Sequence, residues 1–190
     1  MKLIYSLLAL VVLSAVSCYS QNKSSEKNII MDSAQKKHGY YSKADSAKLA
    51  VSDDEWKKIL PSDVYYVARQ KGTERPWTSK YENFHDTGTY YCAVCGNALF
   101  KSDTKFESGC GWPSFYEPIT KGSVIYAPDY AYGMNRTEVM CGRCKSHLGH
   151  VFEDGPPPTH LRFCINGVVL DFEKAQEAEK NYSSQKKEND

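Results

Sequence analysis

The sequence predicts a mainly β domain with short N-terminal helices, on the strength of three observations. Five short runs are rich in β-branched and aromatic residues, which favour strands, and they span 89–92, 98–100, 123–126, 137–140 and 161–165. Turn-forming residues lie between these runs, as at Gly96-Asn97 and Pro128-Asp129. The chain also contains 14 Tyr, 7 Phe and 3 Trp residues, which suit a β-rich core.

The segment before the first strand predicts two short helices. Ser52 and Glu55 have the spacing of a capping box, in which each side chain accepts a hydrogen bond from the other residue's backbone N–H. The first helix should begin after this cap and run to residue 60, because Pro61 cannot continue it. The run 63–71 predicts a second short helix that ends near Gly72.

The strongest local turn signal lies near the C-terminus. Asn166-Gly167 separates two strand-like runs, 162–165 and 168–172. Asparagine followed by glycine favours the two-residue turn of a β-hairpin, since both residues tolerate the positive φ that this turn requires. The sequence therefore predicts that these two strands pair with each other.

Length and charge describe an ordinary single-domain protein. A chain of 190 residues has room for one domain with short appendages. The 24 basic and 23 acidic residues almost cancel, so the composition does not favour a nucleic-acid partner. Polar composition sets the predicted boundaries: a signal peptide at 1–17, a flexible linker at 18–45, the folded domain at 46–172 and a polar tail at 173–190.

The N-terminus has the pattern of an export signal. Lys2 precedes an apolar run at 3–16 that is too short for a comfortable membrane span. Small residues and then Cys18 follow, as in a bacterial lipoprotein signal, although Ala15 stands where such signals usually carry a larger apolar residue. An ordinary secretory signal cut next to Cys18 is the alternative. We expect an exported protein of the cell envelope or periplasm, anchored to the membrane by a lipid on Cys18.

Four of the seven cysteines form two identical motifs. Cys92 and Cys95 make one C-x2-C pair, Cys141 and Cys144 make the other, and 45 residues lie between the two pairs. Each pair turns two thiolates toward one point, and two pairs complete the tetrahedral four-sulfur site of structural zinc. Two disulfides are the alternative for an exported protein. The sequence favours one zinc ion that clamps two segments distant in sequence.

The other two cysteines of the domain lie in distinctive motifs. Cys110 lies in SGCGWPSF (108–115), and Cys164 lies in RFCINGVVL (162–170). Between them, after the second C-x2-C pair, comes HLGHVFEDGP (147–156). These motifs, in this order, resemble the B-type methionine sulfoxide reductase family across roughly residues 56–172.

The resemblance implies both a fold and an activity. The fold would be two antiparallel sheets in a zinc-clamped β-sandwich or open barrel. The enzyme would reduce the R epimer of methionine sulfoxide, mainly in oxidised proteins, and a thioredoxin-like dithiol would regenerate it. Since an exported enzyme cannot meet cytosolic thioredoxin, electrons would have to be relayed across the membrane. Matching positions give a catalytic set of seven residues: Cys164, Cys110, His147, His150, Asn166, Asp154 and Arg162. The substrate-binding set is Trp112 and Phe115.

Elementary chemistry supports several of these roles. A thiolate is the soft nucleophile that attack at a sulfoxide sulfur requires, and backbone donors near the turn after Cys164 could lower its pKa. His147 and His150 can protonate the departing oxygen, because imidazole titrates near neutral pH. Attack leaves a sulfenic acid, which Cys110 can condense into a disulfide if the fold brings it close. Asp154 and Asn166 can orient these partners, and Trp112 offers a flat apolar face for the substrate's methyl group.

Other interpretations remain at this stage. A cysteine between Phe163 and Ile165 is more often an inert core residue than a nucleophile, and either histidine could ligate a metal. A zinc module without catalysis that binds a protein partner, and an exported thiol–disulfide oxidoreductase, are the two rival functions. The first gives no reason for the remaining cysteines and histidines, and the second would normally place both thiols in one C-x2-C motif.

Overall fold

The computed structural model describes residues 37–176, and the compact unit analysed below begins at Gly39. The predicted signal peptide, Cys18, most of the predicted linker and nearly all of the polar tail lie outside the described residues. Within the described range, no helix has both the length and the apolar character needed to cross a membrane.

The described chain contains two α-helices, nine β-strands and three single turns of 3-10 helix. In chain order the helices and strands are α1 Asp53–Ile59, α2 Ser62–Gln70, β1 Gly88–Cys92, β2 Ala98–Lys101, β3 Lys105–Phe106, β4 Ser114–Phe115, β5 Val124–Asp129, β6 Arg136–Cys141, β7 His147–Phe152, β8 Arg162–Ile165 and β9 Leu170–Lys174. This order confirms the predicted mainly β fold with short N-terminal helices.

Both helices begin and end close to their predicted limits. The Ser52 hydroxyl accepts a hydrogen bond from the Glu55 backbone N–H at 3.3 Å, which satisfies one of the open donors at the start of α1. Pro61 separates the two helices, and α2 ends where Lys71 adopts a left-handed conformation with φ 55°. Each helix buries one apolar side against the core, α1 through Trp56 and α2 through Val67.

The strands form two antiparallel sheets whose aromatic side chains meet. A three-stranded sheet has the order β2-β1-β9, and a six-stranded sheet has the order β3-β4-β8-β7-β6-β5. Phe100 of the small sheet stacks on Phe115 of the large sheet with ring centroids 4.4 Å apart, and Tyr90 meets Phe115 edge-on at 5.0 Å. These rings are buried between the sheets and contribute apolar contacts to the core.

The predicted hairpin at Asn166-Gly167 is wrong. Strand β8 belongs to the large sheet and β9 to the small sheet, so the chain crosses between sheets at this point. Asn166 has φ −65° and ψ 121°, not the positive φ of a hairpin turn, and residues Gly167–Val169 form a turn of 3-10 helix. The Asn166 amide donates to the carbonyl of Leu148 at 2.9 Å, which holds the crossing segment against β7.

The folded region is longer at both ends than the predicted 46–172. The Ser42 backbone N–H donates to the Cys95 carbonyl at 3.0 Å, inside the segment predicted as linker. The buried Arg143 guanidinium binds the Asp45 carboxylate at 2.6 Å and donates to the Tyr40 carbonyl. Strand β9 continues to Lys174. Composition places both ends in polar segments, but Arg143 supplies donors for the carbonyls of Tyr40 and Ser42, and the end of β9 pairs with β1.

Candidate active site

The four cysteines of the C-x2-C pairs form one buried cluster. Their sulfur atoms all lie within 4.8 Å of one another, with Cys92 and Cys144 3.8 Å apart and Cys95 and Cys141 3.6 Å apart. In each pair the backbone folds back in the same way: the fifth residue's N–H donates to the first cysteine's carbonyl, at 2.8 and 2.9 Å. This cluster could hold a metal ion.

The cluster lies where the two sheets come together. Cys92 ends β1 of the small sheet, and Cys141 ends β6 of the large sheet. The α2 residue Arg69 donates to the Cys144 carbonyl at 3.1 Å. An ion bound here would join both sheets and the helical segment.

A second pair of cysteines lies on the large sheet. The sulfur atoms of Cys110 and Cys164 are 3.2 Å apart, and both residues are partly exposed. Cys164 lies in β8, and its neighbour across the strand pair is Ser114 of β4. Cys110 lies in the loop before β4, where Gly109 and Gly111 both adopt positive φ. The structure therefore brings together the two thiols that the sequence separates by 54 positions.

Neighbouring hydroxyl groups stabilise negative charge on this pair. The pKa of Cys110 is lowered to about 4. The contact with the Cys164 thiol contributes most, and hydrogen bonds from Ser108 at 3.0 Å and from Ser114 at 3.4 Å contribute less. The contact with Cys110 and burial raise the pKa of Cys164, and the positive charge of Arg162 only partly counters them. We expected backbone donors to lower the pKa of Cys164, and this expectation is wrong. The two sulfurs share one proton, and Cys110 has more hydrogen-bond donors around it.

Both predicted histidines lie on the sheet face that carries Cys164. His150 of β7 is directly opposite Cys164 of β8 in the strand register. Residues three apart on a regular strand point to opposite faces, but a bulge in β7 at Leu148 reverses this alternation. The rings of His147 and His150 are consequently only 5.4 Å apart.

Each histidine is hydrogen-bonded to a carboxylate that the sequence motifs did not indicate. His147 Nδ1 lies 2.8 Å from Glu138 Oε1, and His150 Nε2 lies 2.7 Å from Asp129 Oδ2. Burial lowers the pKa of His147, and the bond to Glu138 acts in the opposite direction. Neither histidine belongs to the four-cysteine cluster.

Arg162 and Asp154 form a pair at the edge of the site. The guanidinium binds both carboxylate oxygens of Asp154, at 2.8 and 2.9 Å, and lies 4.4 Å above the Phe152 ring. Asp154 is 61% exposed and its carboxylate bonds to Arg162, whereas Glu138 and Asp129 are the carboxylates that bond to the histidines. Asp154 accordingly orients the arginine whose charge acts on Cys164.

Glu74 connects Trp112 to the crossing segment, and sequence reasoning missed it. Its carbonyl accepts a hydrogen bond from the Trp112 indole N–H at 3.1 Å, and its backbone N–H donates to Asn166 Oδ1 at 3.0 Å. The Glu74 carboxylate accepts from the backbone N–H groups of Gly167 and Val168. No motif marks this loop residue, because its role depends on two segments more than 30 positions away.

The predicted substrate contact at Phe115 is wrong. Phe115 is completely buried and stacks on Phe100 in the core between the sheets. Side chains alternate along a strand, so when Ser114 faces Cys164 its neighbour Phe115 must face the other way. Trp112, which is partly exposed, remains beside the cysteine pair through the 3.5 Å contact of its carbonyl with Cys110 Sγ.

Comparison with known proteins gives a consistent family. A model of the SelR domain matches residues 60–174. Proteins named peptide methionine sulfoxide reductase MsrB are similar in sequence. The one from Pseudomonas syringae pv. syringae is 55% identical over 125 residues, which cover 66% of this chain and 95% of the relative.

Similar relatives come from distant organisms. The protein from Methanosarcina barkeri is 56% identical over 126 residues, covering 66% of this chain and 89% of the relative. The protein from Leptospira interrogans is 54% identical over 123 residues, covering 65% and 94% respectively. The chain therefore belongs to the B-type methionine sulfoxide reductase family, the family of the SelR domain.

Proposed function

We propose that this enzyme reduces methionine R-sulfoxide, mainly in proteins, to methionine by thiol chemistry. The observation that carries the proposal is the 3.2 Å contact between Cys110 and Cys164 on a partly exposed sheet face, with His150 on the adjacent strand. A nucleophile, a second thiol and a proton donor are the three groups that the reaction requires.

The first step takes place at Cys164. Its sulfur attacks the sulfoxide sulfur, the S–O bond breaks, and the oxygen is transferred, so a thiol and a sulfoxide become a sulfenic acid and a thioether. His150 and His147 supply the proton that the developing oxygen needs. Arg162 partly offsets the raised pKa of Cys164 and so favours its attacking thiolate. The Trp112 indole N–H is bonded to the Glu74 carbonyl, which orients the ring to offer its face to the substrate's methyl group.

The second and third steps regenerate the thiols. The Cys110 sulfur attacks the sulfenic acid, a disulfide forms and water leaves. A thioredoxin-like dithiol then reduces the disulfide by exchange, and becomes oxidised itself. Cys110 suits the second step because the hydroxyl groups of Ser108 and Ser114 stabilise its thiolate.

The four-cysteine cluster fits a structural zinc ion. Zinc–sulfur bonds of about 2.3 Å in a tetrahedron place the sulfur atoms about 3.8 Å apart. The separations of 3.8 Å between Cys92 and Cys144 and 3.6 Å between Cys95 and Cys141 match that value. When bound, zinc would supply folding energy and no step of the reaction.

For the cellular location we propose an exported, lipid-anchored enzyme that repairs oxidised proteins of the envelope. The apolar run 3–16, the small residues after it and Cys18 support this proposal. Two or more acyl chains hold a protein firmly at a membrane, because each buried methylene contributes roughly 0.8 kcal/mol. Mass spectrometry of the mature N-terminus tests it: an acylated Cys18 is expected, whereas an unmodified N-terminus at or beyond Tyr19 would exclude the anchor.

An epimer-resolved assay tests the activity. The enzyme is incubated with dithiothreitol and the separate R and S epimers of N-acetyl-methionine sulfoxide, and methionine production is measured. Product from the R epimer alone is expected, and Cys164→Ser should give none. Equal conversion of both epimers, or none of either, would reject the proposal and leave the thiol–disulfide oxidoreductase or the non-catalytic zinc module.

A further inference from the structure

Each histidine of the site is backed by a carboxylate, and each carboxylate is backed by a cation. Glu138 bonds His147 through one oxygen, and its other oxygen lies 2.7 Å from the Lys71 ammonium. Asp129 Oδ2 bonds His150 and lies 2.7 Å from the Arg136 guanidinium. The two arrangements are side by side, because Glu138 and Arg136 both lie on β6.

The two carboxylates bind different nitrogen atoms of the two rings. Glu138 contacts Nδ1 of His147, whereas Asp129 contacts Nε2 of His150. An ionised carboxylate can only accept a hydrogen bond, so the contacted nitrogen must carry the ring's proton. Neutral His147 is then protonated on Nδ1 and neutral His150 on Nε2, which leaves opposite nitrogens open in the two rings.

Both carboxylates are surrounded by hydrogen-bond donors and cations. Glu138 is only 1% exposed, and an ionised carboxylate at this depth requires the compensating charge of Lys71. Asp129 also accepts from the Ala131 backbone N–H at 2.9 Å. That bond, followed by the bond to His150, holds the pKa of Asp129 well below its usual range. In these surroundings both carboxylates serve as hydrogen-bond acceptors for the rings.

The open nitrogens are available for the reaction. Among residues 37–176, the protein makes no hydrogen bond to Nε2 of His147 or Nδ1 of His150. A ring whose other nitrogen is held by a carboxylate is fixed in orientation, and it takes up a second proton at its open nitrogen. It can then release a proton from the open nitrogen to the sulfoxide oxygen.

We propose that Glu138 and Asp129 are positioning residues that fix His147 and His150 in opposite tautomers and leave Nε2 of His147 and Nδ1 of His150 as the nitrogens that serve the substrate's oxygen. This inference rests on the proposed function for its catalytic consequence. The tautomers themselves can be measured without any substrate.

The direct test is the ring nitrogen spectrum of the unmodified protein. The full zinc-loaded chain is labelled with ¹⁵N, kept reduced, and studied by long-range ¹H–¹⁵N correlation at pH values where the rings are neutral. The spectrum should show protonated Nδ1 for His147 and protonated Nε2 for His150. The reverse tautomer in either ring, or a rapidly exchanging mixture in both, would overturn the proposal. Because this measurement needs no substitution, its result stands even if a variant fails to fold.

Kinetics test the consequence. In Glu138→Gln and in Asp129→Asn the amide can donate as well as accept, so the tautomer is no longer fixed. We expect kcat for R-sulfoxide reduction at pH 7 to fall at least about tenfold, within the limit of about 10²–10⁴ for general acid–base catalysis, with little change in KM. Glu138→Asp, which keeps the charge, should recover part of the loss. Unchanged kcat in both amide variants would overturn the proposal.

A matched control separates charge loss from positioning. Asp86 forms a carboxylate–lysine pair with Lys174 at 2.8 Å on the small-sheet side of the domain, so Asp86→Asn should leave kcat and both tautomers unchanged. The failures are also distinguishable. Correct tautomers in a protein that reduces neither epimer would reject the enzymatic function alone, whereas wrong tautomers in an active enzyme would reject only the positioning role.

Discussion

At the scale of single residues, the site depends on which of two adjacent sulfurs carries the charge. Two thiols 3.2 Å apart share a proton, and the hydroxyl groups of Ser108 and Ser114 favour the thiolate on Cys110. The negative charge on Cys110 in turn raises the pKa of Cys164. Removal of Cys110 therefore relieves Cys164 of an unfavourable neighbour, and Arg162 remains to stabilise its thiolate.

The two cysteines should accordingly differ in their mutant phenotypes. Cys164→Ser should abolish reduction with every reductant, because no sulfenic acid can form. Cys110→Ser should retain a single turnover and dithiothreitol-driven activity but lose cycling with a thioredoxin-type dithiol, which recognises the disulfide. Single-turnover product yield and steady-state rates with both reductants measure this. Normal cycling of Cys110→Ser with the thioredoxin-type partner would contradict the second role.

The charge on Cys110 should be visible in its reactivity with pH. Because its pKa is lowered to about 4, the thiolate persists down to that value and is lost only as the pH falls through it. Alkylation by iodoacetamide, located by mass spectrometry, should therefore change only a few-fold between pH 8 and 5.5. A thiol with the ordinary pKa of about 8.5 would slow more than about 100-fold over that range. Such slowing, or labelling of Cys164 in place of Cys110, would contradict the assignment.

At the scale of elements, both helices and most strands of four or more residues follow from the sequence, whereas β7 and the two-residue strands β3 and β4 do not. Runs such as 89–92 and 137–140 contain enough β-branched and aromatic residues to predict β1 and β6. Strand β4 has two residues, which is too few to show an alternation, so the side of the sheet that Phe115 faces could not be predicted. The bulge in β7 left no sequence signal, although it determines that both histidines share one face.

The failed hairpin has the same physical origin. Asparagine followed by glycine favours a tight turn when only local interactions determine the backbone conformation. Here the Asn166 side chain bonds to Leu148 and Glu74, so the segment between β8 and β9 follows another path. The cysteine motifs could be predicted, because the spacing within a C-x2-C pair is local. The carboxylates behind the histidines could not, since they come from other strands and carry no motif of their own.

Glu74 should matter to both stability and substrate binding. Glu74→Gln leaves at most one oxygen acceptor for the N–H groups of Gly167 and Val168, so one of them loses its partner. We expect a loss of about 1–3 kcal/mol in the free energy of unfolding. KM for the R-sulfoxide should rise, because a loosened crossing segment shifts the Glu74 backbone groups to which Trp112 and Asn166 bond.

Urea unfolding and steady-state kinetics measure the two effects of Glu74→Gln. Glu153→Gln, at an exposed position, is the matched control and should show neither. An unchanged unfolding midpoint in Glu74→Gln would show that its carboxylate does not hold the crossing segment.

At the scale of the whole molecule, the four-cysteine cluster is one of the connections between the two sheets. The aromatic core also joins them, so loss of the ion should destabilise the domain without removing its apolar contacts. Arg143 adds a further connection next to the cluster, because its guanidinium bonds both to the segment from Tyr40 to Asp45 and to the carbonyl of Cys95. The sheet face with the two histidines and the cluster share β6, which ends at Cys141 and carries Glu138.

Zinc should therefore bind once per chain and set the thermal stability of the whole domain. Structural zinc supplies about 10–16 kcal/mol in small zinc-finger peptides, and even a fraction of that lowers the unfolding midpoint of a domain of this size by more than about 10 °C. Cys95→Ser and treatment with a strong chelator should both produce this drop in a thermal scan, with metal content measured by mass spectrometry. Cys110→Ser, which lies outside the cluster, should keep both its zinc and its midpoint. Because β6 carries Glu138 away from the cluster toward His147, partial loss of zinc should also lower activity before the domain unfolds. Active, well-folded protein without zinc would show that the cluster is not a metal site.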